Sequence, residues 1–176
     1  VKIEAKNNLA LRNATFKGHL EIVKILVENG ANIHADNDGT GWFNLANDDE
    51  CFDDEFEEAI HFSAKNGHFE VVKYLVEKGA DIIGSGALEE ASSNGHFEIV
   101  KFLVERGANF GSALEKAVLK EQFEIVKYLV EKGAEINQNK AILYASLTRN
   151  EQILKYLVAK GGDVNKTLCE LNEVDF

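Results

Sequence analysis

Proline is wholly absent from the 176 residues, where average usage of about 5 % would supply roughly nine. Every turn and helix start must be built without it. Cysteine occurs twice, at Cys51 and Cys169, too few and too unpatterned for a disulfide framework or a zinc site. Two reduced thiols suit an intracellular protein of cytoplasm or nucleus. No apolar run approaches the ~18 residues needed to span a bilayer, and no signal-peptide pattern is visible, so no membrane partner is expected. Basic charge is missing from one stretch altogether: residues 36–58 hold ten acidic side chains and no Lys or Arg. The net charge is −11, and outside that stretch 20 acidic residues face 19 basic ones. Nucleic acid is therefore a poor partner and none is expected, since affinity for phosphate backbones comes from clustered Lys and Arg.

Chemistry is equally sparse. There is no phosphate-cradling glycine loop, and His34 and His61 have no Cys or Ser at a recognisable catalytic spacing. Asp36-x-Asp38-x-Thr40-Gly41 opens like a calcium loop, but position twelve is Asn47, where a bidentate Glu is required. No catalytic residue, metal or cofactor is expected, and the chain reads as a non-enzyme.

What the chain does contain is repetition. GHLEIVKILVENGANI starts at Gly18, GHFEVVKYLVEKGADI at Gly67 and GHFEIVKFLVERGANF at Gly95. Weaker copies, EQFEIVKYLVEKGAEI and RNEQILKYLVAKGGDV, start at Glu121 and Arg149. Lys24, Lys73, Lys101, Lys127 and Lys155 share one column, at steps of 49, 28, 26 and 28 residues. Such periodicity means stacked units, none able to bury its apolar face alone.

Each copy divides into two helical halves. The first carries an apolar residue three before a small one, as in Ala87-Leu88-x-x-Ala91 or Ala113-Leu114-x-x-Ala117. The second puts Phe97, Val100, Leu103 and Val104 on one side and Glu98, Lys101 and Glu105 on the other, the last two an i,i+4 pair. Gly30, Gly79, Gly107, Gly133 and Gly161 fall where a left-handed residue stops the second helix. Ser112-x-x-Glu115 reads as a capping box at a first-helix start.

The recurring G-H-[LF]-E-[IV]-V-K-x-L-V-E-x-G-A-[DN] string resembles the ankyrin repeat family over nearly the whole chain. The resemblance implies an all-α solenoid of stacked antiparallel helix pairs, here with mostly shortened hairpin loops. It also implies that His19, His68 and His96 belong to the turn joining each pair, not to a ligand site. Family units run about 33 residues and open with Thr-Pro-Leu-His, whereas this chain keeps only Ala-Leu or Ala-Ile and shorter spacings. Units this short are similar to those of ankyrin proteins of giant DNA viruses, which would place the protein in a host cell. A single domain over 1–176 is expected. Its repeats fall at about 9–35, 59–83, 87–110, 113–137 and 141–165, with an acidic insertion at 36–58 and a capping helix or partial repeat at 166–176. Residues 3–8 align with a repeat tail, as if an earlier unit preceded them.

Within the insertion, Asp38-Gly39-Thr40-Gly41-Trp42-Phe43-Asn44-Leu45-Ala46 resembles the family's hairpin and helix start, with Phe43 at a core position. Phe52, Phe56 and Ile60, spaced i, i+4, i+8, predict an N-terminal extension of the helix that starts at Ala59.

The resemblance implies a protein–protein interaction module acting through its concave face. The lining should come from first-helix ends: Phe16 and Lys17, Lys65 and Asn66, Ser93 and Asn94, Leu119 and Lys120, Leu147 and Thr148. The preceding pairs, among them Arg12-Asn13, His61-Phe62, Glu89-Glu90, Glu115-Lys116 and Leu143-Tyr144, would extend it. Phe16, Phe62, Tyr144 and Leu147 are its expected apolar centre, and Trp42 an aromatic anchor in the insertion. The expected partner is another protein, one with a basic patch against the acidic insertion, and the chain is expected to act as a monomer. Substrate recruitment within a larger ubiquitin-ligase adaptor or effector is the alternative, and a structural spacer a third. Asn137 and Asn165 resemble ankyrin asparagines modified by an oxygen-dependent hydroxylase.

Overall fold

A computed structural model describes residues 2–34, 58–136 and 140–164, with side chains from residue 8 onward. The described residues form ten helices and no strand. Contacts divide the chain into two compact units, Val1–Ser85 and Gly86–Phe176. The first holds α1 (Lys2–Lys17), α2 (Leu20–Glu28), α3 (Ala59–Lys65) and α4 (Phe69–Glu77). The second holds α5 (Ala87–Ser93), α6 (Phe97–Glu105), α7 (Ala113–Leu119), α8 (Phe123–Glu131), α9 (Ala141–Leu147) and α10 (Glu151–Ala159).

Helices of seven or nine residues are marginal on their own in water, so packing must hold them. In the first helices of the second unit, Ala87, Ala91, Ala113, Ala117, Ala141 and Ala145 are fully buried. With no side chain beyond Cβ, they let neighbouring helices approach closely. In α8, Ile125, Val126 and Leu129 are buried while Glu124, Lys127 and Glu131 face water. Each fully buried Leu, Ile or Val contributes about 1.5–3 kcal/mol, and three per turn-and-a-half anchor the helix.

The second helices stop as their glycines predict. Gly30, Gly79, Gly107, Gly133 and Gly161 have φ of 87°, 93°, 87°, 100° and 96°. In α2 the Gly30 amide donates to Val27 O at 3.1 Å and the Ala31 amide to Leu26 O at 3.0 Å. This doubly bonded C-terminus, a Schellman motif, recurs at Gly79–Ala80, Gly107–Ala108 and Gly133–Ala134. The alanines that follow four of these glycines, Ala31, Ala80, Ala108 and Ala134, are buried, which accounts for the recurring Gly-Ala in the sequence.

A turn of two or three residues folds each second helix back on its first. In the first unit α3 packs directly on α1 and α4 on α2, although the whole acidic stretch separates them in sequence. In the second unit α5, α7 and α9 form one row and α6, α8 and α10 another. The second helices have a polarity. Phe97 at the start of α6 meets Tyr128 of α8 edge-to-face at 5.5 Å, and Phe123 of α8 meets Tyr156 of α10 at 5.7 Å. The third and sixth residues of a second helix therefore face the one before it. Val71, Ile125 and Ile153, at the third position, are 1 %, 2 % and 0 % exposed. In α2, which follows no second helix among the described residues, Ile22 and Ile25 are 48 % and 59 % exposed.

Three local expectations are corrected. Residues 3–8 are not a repeat tail: α1 runs unbroken from Lys2 to Lys17. The helix at Ala59 has no extension across Glu58, whose φ of −70° and ψ of 163° are extended backbone. Ser112 makes no side-chain cap bond; Glu115 instead reaches forward, its Oε1 accepting the Lys140 amide at 3.1 Å.

Candidate partner-binding face

The face is built on the turns that join each helix pair. His68 explains one of them: its Nε2 lies 2.8 Å from the carbonyl oxygen of Phe16, the last residue but one of α1. The same ring covers Gly18, where an added Cβ would strike it. His68 is thus a tie between adjacent turns, a structural role rather than a ligand's. In the second unit Gln122 does the steric part of this work, its Oε1 lying 2.9 Å from where a Cβ on Gly95 would sit. Further along, Asn150 donates to Glu121 Oε2 at 2.9 Å and accepts the Ile153 amide at 3.1 Å. Glu121 and Arg149 occupy the turn position held elsewhere by Gly18, Gly67 and Gly95, at φ of 58° and 56°.

The first-helix ends are accessible. In the second unit Leu119 is 46 % and Leu147 65 % exposed. They hold the same register, the last residue of neighbouring helices α7 and α9. Tyr144 is half-buried one turn earlier on α9, and Thr148 Oγ1 donates to its carbonyl at 3.0 Å. Lys120 and Asn94 are exposed and Ser93 half-buried on the same edge. Alongside them Lys116 and Glu90 pair at 2.6 Å, with side chains 41 % and 16 % accessible. A pair so open to solvent contributes no more than about 1 kcal/mol, but it fixes both side chains in the face.

In the first unit Lys17 and Asn66 are exposed, and Phe16 and Lys65 half-buried. Lys17 Nζ lies 5.2 Å from the centre of the Phe16 ring. Phe62 must be withdrawn from the face. It is 1 % exposed, its ring edge-on to Phe16 at 6.4 Å and to His61 at 5.9 Å. A residue this deep in the core supports the helices and offers nothing to a partner. The residues before it also have other work. His61 Nδ1 lies 3.1 Å from Ser85 O, Glu115 holds the Lys140 amide, and an added Cβ at Gly111 would strike Glu89. In α3 and α7 the third residue of the first helix thus fastens the loop that follows the pair. The spacing of these polar residues is visible in the sequence, but their targets lie some 25 residues away, which no local pattern shows.

Trp42, Phe43, Asn137, Asn165, residues 36–57 of the acidic insertion and the segment 166–176 lie outside the described residues. On the opposite side of the helix pairs, burial raises the Tyr128 and Tyr156 phenols above their ordinary value, with Glu105 and Glu131 adding to the shift. Tyr128 Oη is buried without a hydrogen-bond partner among the described residues, while Tyr156 Oη is 3.4 Å from Lys127 O. Among the described residues no three His, Cys, Asp or Glu converge as a metal site, and no helix is long and apolar enough to cross a membrane.

Comparison with known families bears on most of the chain. Residues 6–38 match the family model described as "Ankyrin repeat". Residues 42–113 and 109–167 match the one described as "Ankyrin repeats (3 copies)". No curated protein matches the chain.

Proposed function

Because the chain belongs to the ankyrin repeat family, whose stacked helix pairs generally serve as protein–protein interaction modules, we propose that it is a non-catalytic module holding another protein on its first-helix ends. The observation that carries this reading is the pair Leu119 and Leu147, 46 % and 65 % exposed at one register of neighbouring helices. Leu114 and Ile142, at the packing position of those same helices, are 0 % and 2 % exposed. Packing therefore does not account for large apolar residues at 119 and 147. A partner that covers them would gain roughly 25 cal/mol for each Å² of apolar surface removed from water. Tyr144 beside them supplies the aromatic anchor that interface centres favour.

The acidic insertion is proposed as a second element, attracting a partner with a basic patch. The module would act as a monomer inside the cell, in the cytoplasm or nucleus. Affinity capture from the native host tests the reading. Changing Leu119, Tyr144 or Leu147 to Ala should each weaken capture about tenfold, since interface anchors cost above 1 kcal/mol when truncated. Helical content and melting should stay as in the parent. If all three variants retain every partner at unchanged strength, the face is not the binding surface.

A further inference from the structure

Three Asn-Gly dipeptides, Asn29-Gly30, Asn66-Gly67 and Asn94-Gly95, stand at helix ends. Asn-Gly is chemically labile because glycine has no side chain to hinder attack by its own nitrogen. That nitrogen bonds to the asparagine Cγ, the Cγ–Nδ2 bond breaks, and ammonia leaves with the amide proton. Water then opens the five-membered imide at either carbonyl, giving aspartate or isoaspartate.

The geometry points to these asparagines as latent deamidation sites that the closed helix end guards, and whose conversion reports opening of that end. Asn29, Asn66 and Asn94 are all exposed, so water is not what is withheld. Each is a helix C-cap, with φ of −94°, −95° and −93° and ψ of 18°, 4° and 4°. With ψ near zero the next nitrogen eclipses the residue's own backbone nitrogen. It must turn by about a third of a rotation to face Cγ. The glycines hold it in place at φ of 87°, 77° and 80°.

The side chain is restrained as well. Nδ2 donates back to Ile25 O at 2.7 Å, to Phe62 O at 2.9 Å and to Glu90 O at 2.9 Å respectively. The same three carbonyls accept the asparagines' own backbone amides at 3.1, 3.1 and 3.0 Å. The required rotation also breaks bonds that close each helix end: Gly30 N to Val27 O at 3.1 Å and Ala31 N to Leu26 O at 3.0 Å after Asn29, His68 N to Ser63 O after Asn66 and His96 N to Ala91 O after Asn94, the last two both 2.9 Å. Ring closure is therefore coupled to local unfolding.

The guard is unequal. Gln122 packs over Gly95, its Oε1 2.9 Å from an added Cβ, whereas Gly30 has nothing within 4 Å. Asn29 should thus convert first in the folded protein and Asn94 later, although the dipeptides are chemically the same.

The full chain is incubated in mildly alkaline buffer with and without denaturing urea, and peptide mapping by mass spectrometry follows amide-to-acid conversion at each asparagine. In urea the three should convert at similar rates. Without it all three should slow, Asn66 and Asn94 by about 10-fold or more, as local opening free energies of a few kcal/mol imply, and Asn29, with no side chain over its glycine, should lead Asn94. A Gln122→Gly variant, which uncovers Gly95 but leaves Asn66 as it was, should speed conversion at Asn94 alone. Equal rates at Asn94 in the two conditions, or Asn94 converting as fast as Asn29 in the folded chain, overturns the inference.

Discussion

Arg149 sits at φ of 56° and Glu121 at 58°, a backbone region that costs an L-residue about 1–2 kcal/mol relative to its usual conformations. Three other turns avoid that cost with glycine, as Gly67 does at φ of 77°. The two residues persist because the flanking helices leave the turn no other path. Arg149→Gly should relieve the strain, and after the extra freedom glycine brings to the unfolded chain a net gain of about 0.5–1 kcal/mol should remain. Urea unfolding reads it as a higher midpoint with an unchanged slope. Glu121→Gly should gain less, because Glu121 Oε2 accepts the Asn150 amide at 2.9 Å. A drop in midpoint for Arg149→Gly would show that its side chain makes a contact worth more than the strain. The weaker fourth and fifth copies were visible in the sequence as EQF and RNE in place of GHF, but not their backbone conformation. That depends on flanking geometry, not on the residue.

At the scale of the helix, the start of each second helix decides how well it meets the next. α6 and α8 begin with Phe97 and Phe123, which meet Tyr128 and Tyr156 at interplanar angles of 74° and 82°. α2 begins with the shorter Leu20, and a groove of about 160 Å³ remains, lined by Leu20, Lys24, Glu70, Lys73, Tyr74 and Glu77. Leu20→Phe should close it and recreate the edge-to-face pair against Tyr74, adding about 0.5–1.5 kcal/mol. Thermal unfolding measures the gain; a fall in melting temperature would mean the groove cannot admit the larger ring. The helices themselves were legible in the sequence, because Val100 and Leu103 recur at helical spacing and a glycine follows each segment. Their ends were less so. The Phe52, Phe56, Ile60 stripe suggested a helix running into α3, and Glu58 in extended backbone interrupts it. Ser112 and Glu115 had the spacing of a capping box, but a tertiary target, the Lys140 amide, outcompeted the local one. Phe62 was misplaced for the same reason, since an aromatic at that register is as ready to fill a core as to meet a partner.

For the molecule as a whole, charge and structure are partitioned. Residues 36–58 carry ten acidic side chains and the remainder is nearly neutral. α3 nevertheless sits directly beside α1, so the charged stretch interrupts the chain without interrupting that stack. A variant with residues 36–57 replaced by a short glycine-serine linker should keep its helical content. If the partner is basic, that variant should associate more slowly, and the salt dependence of its association should largely vanish. Rates measured at two ionic strengths decide it; an unchanged salt dependence would remove the insertion from the binding mechanism. That the family could be read from repetition alone follows from the architecture, in which every unit solves the same packing problem with the same residues. The binding face could be read only in outline, because its residues answer to a partner and not to one another.

The bare side of α2 has a practical corollary. Ile22 and Ile25 present to water the surface that Ile125 and Tyr128 press against a neighbour. A helix pair grafted against α2, whose edge offers an aromatic as Phe97 does to Tyr128, would find its seat already cut.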